Sequence, residues 1–477
     1  MDATFQLPNE KSCADESGPA AAAAAVDYYR AAVTPGIVHF GTGRRFRTAI
    51  APLVDRILAH GHHEWGIIAV SQSDGPVHDA LAAQDATYVL TEAHGQVLTR
   101  RRIGAIDHLL RARTDAAAVI AAIADPRIQL ITVAIGAAAY RRGAHGGLDR
   151  DDDVVRRELA GQPLPVTPVG QIVAGLAARR AAGAPPLTVL ACDNLDQNNV
   201  ILASLIDEFA VAQDVQLADW IATQIRFPAA IGDRLLLDHH KAESGCDTGI
   251  ADVVVERYAH WVFEDNLGPE RMALEAIGAT FVPDVRPFMR ARMRLLDGSL
   301  LLLAYVGLMR GHARLDQAVR DPAIIPLLDS YLAEVAAVLP PLKGFDPEAY
   351  TAELKLRYAN PAVTLPLAQL ARNGSVKLPR LIVPTILDSF RLGQRPETCA
   401  AIIAAWMLRS TSPDVVDPHS EHFADVSRTV ADDWERLVEA LCDFDPLFGA
   451  LGKKPLFREC LARSVRLLPG LGQLFRG

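Results

Sequence analysis

The chain has 477 residues, half of them hydrophobic and 22% charged, with a formal net charge of −9. That length exceeds one ordinary core and leads us to expect two or three domains, while the hydrophobic content excludes a disordered chain. An acidic balance lacks the concentrated basic face that nucleic-acid binding needs, and the runs Arg44, Arg45, Arg47 and Arg100, Arg101, Arg102 are short.

Six cysteines (Cys13, Cys192, Cys246, Cys399, Cys442 and Cys460) are scattered without a C-x-x-C pair. Neither a zinc site nor a disulfide framework is expected, and a reduced cytoplasm fits that usage. The first residues carry Asp2, Glu10, Lys11, Asp15 and Glu16 and lack the apolar core of a signal peptide. The uncharged apolar run over 300–309 is about half a membrane span. We therefore expect a cytoplasmic protein with no membrane or nucleic-acid partner.

Residues 1–33, polar and then alanine-rich, read as a mobile tail leading into a short helix. An apolar run over 37–40 then closes on Gly41-Thr42-Gly43, and Ile50, Leu53, Val54, Ile57 and Leu58 follow at helical spacing. Strand, glycine turn and helix are the opening of a dinucleotide-binding unit. Gly41 permits the tight turn, Gly43 lets the backbone approach a pyrophosphate, and the helix N-terminus favours the anion. The third glycine of the fingerprint is missing, so the motif by itself is weak.

Residues 65–70 read as a buried strand running into Ser71, Gln72, Ser73 and Asp74. An acidic residue at that strand end normally grips the adenosine ribose. Asp74 comes a few residues late, and Arg44 and Arg45 are either partners for a 2′-phosphate or a solvated helix start. NAD and NADP both stay open. Strand and helix keep alternating through 81–90, 103–110 and 128–133. A helix over 172–182 precedes a strand over 186–194 whose C-terminal end carries Asp193 and Asn194, the side of an open sheet where ligands bind.

Asp238, His239 and His240 read as a surface loop, since adjacent histidines rarely point the same way and no third ligand is spaced for them; no metal is expected. From about 286 onward prolines separate helical runs, beginning with one apolar helix-length segment over 288–312. The expected fold is therefore α/β plus all-α. A Rossmann-like, doubly wound dinucleotide-binding domain occupies 34–285 and a mainly α-helical domain 286–477, with the active cleft between them.

Several of these stretches resemble the mannitol dehydrogenase family, the polyol-specific long-chain dehydrogenases. The glycine turn is similar to that family's G-x-G-x-F-x-R-A-H, keeping Arg47 but with Arg45 for the Phe and Ala49 for the His. The family's Cys-Asp-Asn stands intact at Cys192, Asp193 and Asn194, and the resemblance implies that Asn194 is one half of an oxyanion site. Residues 227–234 resemble Pro-Asn-x-Met-Val-Asp-Arg, keeping Asp233 and Arg234 but with Ala229 at the Asn position. Residues 357–361 and 373–380 resemble two further family motifs; Lys377 matches a substrate-pocket Lys, and Gln369 stands where an Arg is expected. Residues 288–312 resemble the first helix of the second domain, in which Lys-x-x-x-x-Asn-x-x-His carries the catalytic Lys, an oxyanion Asn and a His. Here those positions are Arg292, Asp297 and Leu300.

The resemblance implies metal-free hydride transfer between nicotinamide C4 and a small polyol substrate, in a monomer or small homo-oligomer. Arg292 cannot replace the Lys as base, because guanidinium stays protonated to about pH 12 or beyond. No Lys lies between Lys241 and Lys343, so a shifted alignment supplies no substitute. Asp297, once ionised, accepts hydrogen bonds where Asn would donate them.

Three expectations follow. In one the chain is an NAD(P)-dependent oxidoreductase acting on a polyol, sugar acid or related carbonyl compound. Asn194, Asp233, Arg292, Asp297 and Lys377 then form the reactive site, and Gly41, Gly43, Arg44, Arg45, Arg47, Asp74 and Asp193 surround the cofactor. Asp297 would be the base and Arg292 a clamp for an anionic or carbonyl substrate, although pairing the two weakens Asp297 as a base. In the second the chain is an inactive or repurposed nucleotide- or metabolite-binding homologue that has lost redox turnover, and in the third Arg292 and Asp297 form an ordinary ion pair filling a dead cleft.

Overall fold

The computed structural model describes residues 23–473 apart from 96, 144, 162–163, 194, 196, 236–248, 363–364, 411, 413–414 and 431–432. The described residues fall into two compact units, one running to Arg286 and the other from Pro287. The triplet Asp238, His239 and His240 lies outside the described residues.

Along the first unit run β1 (Pro35–Phe40), β2 (Gly66–Ser71), β3 (Tyr88–His94), β4 (Val97–Ile103), β5 (Ile106–Arg111), β6 (Leu130–Val133), β7 (Thr188–Ala191), β8 (Ala230–Asp233), β9 (Val253–Glu256), β10 (His260–Glu264) and β11 (Thr280–Val282). Five of them pair in parallel in the order β5-β2-β1-β6-β7. β1 is central, with β2 on one side and β6 on the other, so the winding reverses beside it. That reversal opens a crevice beyond the carboxyl ends of β1 and β6. Both faces of β1 are covered. Ile37 packs into one core cluster and Val38 and Phe40 into the other, as period-two alternation requires of a doubly covered parallel strand.

The sequence reading had no place for two further sheets. A β3–β4 hairpin inserted before β5 joins β9, and β8, β10 and β11 form the third sheet. Residues 24–33 also depart from the expected mobile tail. Ala24 bridges to Arg101, Tyr28 Oη donates to Asp55 at 2.7 Å, and Arg30 donates to the carbonyls of Gly104 and Ile106. A short 3₁₀ turn over Arg30–Ala32 then leads into β1.

The second unit is mainly helical. Its centre is the helix Gly298–Met309, buried at every position from 298 to 307. A helix that is apolar all round has to be buried on all sides. The single segment expected over 288–312 is in fact interrupted: Arg286–Arg292 is α-helical, Met293–Asp297 forms a π turn, and the α-helix resumes at Gly298. No helix among the described residues is long and apolar enough to cross a membrane.

One buried cation shows how the first unit is held together. Arg179, on the helix Pro168–Ala181, is fully buried. Its guanidinium donates to the carbonyls of Ile123, Asp125 and Ile128 at 2.8 Å each and of Pro185 at 2.5 Å. Two of those acceptors close the neighbouring helix Ala116–Ala124, whose last carbonyls lack intrahelical partners and favour a positive charge. Arg179→Met keeps the apolar stem but strands these carbonyls, and should lower the unfolding free energy by about 3 kcal/mol or more in urea titrations.

Candidate functional site

In the first unit the site is the pair of loops leaving β1 and β6. Gly41 adopts φ +105°, a conformation glycine accepts readily, and a Cβ there would collide with the Ala134 carbonyl. The turn is pinned where the chain leaves the sheet, because the Gly41 amide donates to the Val70 carbonyl at 2.9 Å. Gly43 differs: a Cβ built on it meets nothing within 4 Å. Room beside Gly43 and a helix start after it are what a pyrophosphate needs, so the residues present fit a dinucleotide.

After the turn the chain enters a π turn over Phe46–Ile50 and continues as the helix Ala51–Ala59. Two arginines fix that entry. Arg47, expected at the cofactor, is buried and directs its guanidinium inward, donating to the carbonyls of Thr42 at 3.2 Å and Ala251 at 2.5 Å. Burial lowers its pKa. Arg234, just after β8, donates to the carbonyls of Thr48 at 2.9 Å and Glu256 at 3.1 Å and to the Glu92 carboxylate at 2.9 Å. It ties the π turn to β3, β8 and β9. Its neighbour Asp233 ends β8, is buried, and stands opposite His260 of β10.

Asp193, also expected at the cofactor, instead shapes the second loop. Its carboxylate accepts from the amides of Ile135 and Gly136 at 3.0 Å and from Tyr140 Oη at 2.9 Å. Burial, and the Asp193 charge beside it, raise the Tyr140 pKa, so the phenol keeps its proton. Asn194 lies outside the described residues.

At the end of β2 the ribose position is likewise altered. Asp74 is exposed and paired with Arg111 at 3.1 Å, and Arg111 also holds Asp79. The strand end instead presents a polar chain that the sequence reading missed: Thr42 Oγ1 lies 3.0 Å from Ser71 Oγ, which lies 2.7 Å from His78 Nδ1. Burial lowers the His78 pKa, keeping the imidazole neutral. Arg44 and Arg45 are half-buried at the helix start, and burial lowers the Arg44 pKa.

In the second unit the structure brings three expected residues together. Arg292 Nη1 donates to Asp297 Oδ2 at 2.9 Å. In a regular α-helix of about 3.6 residues per turn, positions five apart would point about 140° away from each other. The π turn widens the coil so that both side chains share one face. Widening frees carbonyls from their α-helical partners, and hydroxyls supply new ones. Tyr331 Oη donates to the Arg294 carbonyl at 2.6 Å and Tyr358 Oη to that of Leu296 at 3.1 Å. Nothing in the sequence signals either contact, Tyr358 standing out only as part of the 357–361 motif, since the partners are 37 and 62 positions away.

Lys377 completes the group from the helix Gly374–Leu381, whose start Asp417 fixes by accepting from the Ser375 amide at 2.9 Å. Its Nζ donates to the Leu370 carbonyl at 2.8 Å. Burial lowers its pKa, Asp297 raises it and Arg372 lowers it, with a net fall. Leu300 is buried and contributes apolar surface only. No His, Cys, Asp and Glu grouping able to hold a metal occurs among the described residues.

Residues 35–276 match the mannitol dehydrogenase Rossmann domain family and residues 284–466 the mannitol dehydrogenase C-terminal domain family. A mannitol 2-dehydrogenase of Cereibacter sphaeroides is 32% identical over 388 residues, which cover 80% of this chain and 81% of that protein. Among solved structures, the Pseudomonas fluorescens mannitol 2-dehydrogenase in ternary complex with NAD and D-mannitol is 30% identical with a TM-score of 0.78, covering 94% of this chain and 95% of its own. A substrate-free D-sorbitol dehydrogenase is 26% identical with a TM-score of 0.83, covering 94% and 96%.

The two glycines should separate folding from binding. Gly41→Ala forces a side chain into a left-handed turn against a backbone carbonyl and should lower stability by about 2 kcal/mol. Gly43→Ala should leave the urea midpoint unchanged and weaken NADH binding in a fluorescence titration, because its methyl group occupies the space beside the turn.

Proposed function

The chain belongs to the mannitol dehydrogenase family, and from that premise we propose that it is a nicotinamide-dependent oxidoreductase acting on a polyol, a sugar acid or a related carbonyl compound. The observation that carries this reading is the turn at Gly41 and Gly43, open beside Gly43 and placed where the sheet reverses its winding. The P. fluorescens enzyme's complex with NAD and D-mannitol supports NAD as cofactor and a polyol as substrate class.

In this reading the glycine turn and the following helix start, with Arg44 and Arg45, receive the dinucleotide phosphates. Arg47, Arg234 and Asp193 act one step back, holding the two loops in shape. The bound nicotinamide supplies hydride chemistry. The helical unit supplies charge and proton handling through Arg292, Asp297 and Lys377, and Asn194, by its motif, donates to the substrate oxygen. Arg292 gives the substrate site a permanent cation where the family has a titratable amine, which favours compounds bearing a carboxylate or a strongly polarised carbonyl.

A second reading draws on the same ion pair. Arg292 and Asp297 satisfy each other at 2.9 Å, an arrangement that also suits a dinucleotide-binding homologue without turnover. Titration of the purified protein with NADH and NADPH, followed by a screen of polyols, sugars and sugar acids at the nicotinamide absorbance band, separates the two. Saturable binding of one dinucleotide with turnover of at least one compound is the expected result. Binding without turnover supports the second reading, and failure of both dinucleotides to bind overturns the first.

A further inference from the structure

We propose that Lys377 is the proton acceptor of this chain, a role the family's pattern places at the position held here by Arg292. The inference rests on the oxidoreductase reading above. In the oxidative direction the O–H bond of the substrate alcohol breaks and its proton forms a new N–H bond on the Lys377 amine. The C–H bond of the same carbon breaks with its electron pair, which passes to an oxidised nicotinamide dinucleotide, and the C–O bond becomes a carbonyl. In reduction the Lys377 ammonium returns the proton.

Elimination and geometry lead to this residue together. Arg292 keeps its proton at any physiological pH. Asp297 is already engaged by the Arg292 guanidinium at 2.9 Å. The other described lysines that form ion pairs face carboxylates: the half-buried Lys355 on Asp329 at 2.9 Å and the exposed Lys453 on Asp445 at 3.9 Å. Lys377, also half-buried, is built differently: its nitrogen faces the Leu370 carbonyl, and among the described residues no carboxylate lies within ion-pair distance of it.

The neighbouring charges complete the device. The acid that acts on Lys377 is Asp297, already engaged by Arg292, and the exposed Arg372 adds a second cation. Burial and Arg372 outweigh the opposing pull of Asp297, so the pKa of the amine falls. The Leu370 carbonyl holds one N–H at 2.8 Å. That contact is compatible with a neutral amine, which can donate one hydrogen to the carbonyl and still direct its lone pair elsewhere. On this view Arg292 has not destroyed the proton-handling site. It engages the carboxylate that would otherwise be open to pairing with Lys377.

Two measurements on the full chain test the assignment. Competitive acetylation across pH with peptide mass spectrometry, without cofactor, reads the titration of each lysine. Lys377 should become reactive at lower pH than Lys355 and Lys453 in the same sample; a midpoint at or above theirs overturns the proposal. With a substrate in hand, Lys377→Met should lower kcat roughly 100-fold or more while NADH binding stays unchanged. Added ethylamine should restore part of that rate, and Lys377→Arg should restore none. A Lys377→Met protein that retains its kcat, or a loss that small amines do not relieve, overturns the proposal. A wild-type chain that binds NADH and turns over nothing defeats the oxidoreductase reading instead, and the acetylation midpoint still decides whether Lys377 is tuned.

Discussion

The buried Arg234 guanidinium is the contact on which the geometry of the first unit's site depends. It reaches from the end of β8 to the Thr48 carbonyl, the Glu256 carbonyl and the Glu92 carboxylate, so one cation joins a helix start to strands from two auxiliary sheets. Burying that charge is costly unless every donor is met and a counter-charge is close. Arg47 works in parallel from the other side, bridging the Thr42 carbonyl of the glycine turn and the Ala251 carbonyl just before β9. The auxiliary sheets, which add no strand to the parallel one, serve as an anchorage for the glycine-turn loop.

A second constraint recurs in both units. Phe46–Ile50 and Met293–Asp297 are π turns, and each sits where a helix carries the residues of a site. Such turns are found mostly as single insertions into α-helices, often at functional positions. In the helical unit the insertion brings Arg292 and Asp297 onto one face. In the sheet unit it lies directly after the glycine turn, in the segment that Arg234 and Tyr88 grip through the carbonyls of Thr48 and Arg47.

Much of the architecture is legible in the residues. The run 37–40, the G-x-G turn and the apolar spacing from Ile50 to Leu58 carry β1, its turn and its helix, because burial on a regular element imposes a period. The pairing of Arg292 with Asp297 was expected from their opposite charge, although their spacing in a regular α-helix would part them and the π turn is what joins them. What sequence could not supply was direction. Arg47, Asp74 and Asp193 stand at positions proper to a cofactor site, yet each turns to partners within its own unit: Ala251, Arg111 and the amides after β6. A motif fixes where a side chain is attached, and a partner some 200 positions away decides where it points. The π turns were invisible for a related reason, since one inserted residue leaves no period of its own. The hairpin of β3 and β4 was missed because its strands alternate weakly.

The tyrosines over the second π turn give that insertion a lasting character. Tyr331 and Tyr358 reach two carbonyls that a regular α-helix would claim for itself. Phenylalanine in place of Tyr331 would preserve the shape and remove the hydroxyl that reaches the Arg294 carbonyl, whereas the Leu296 carbonyl would keep Ser299 Oγ as a donor at 3.0 Å if Tyr358 were replaced. Loss of one residue between 293 and 297 would return the coil to the tighter winding, swinging everything beyond it by about 100° relative to Arg292. The arginine, the aspartate and the two distant phenols thus all bear on one short coil.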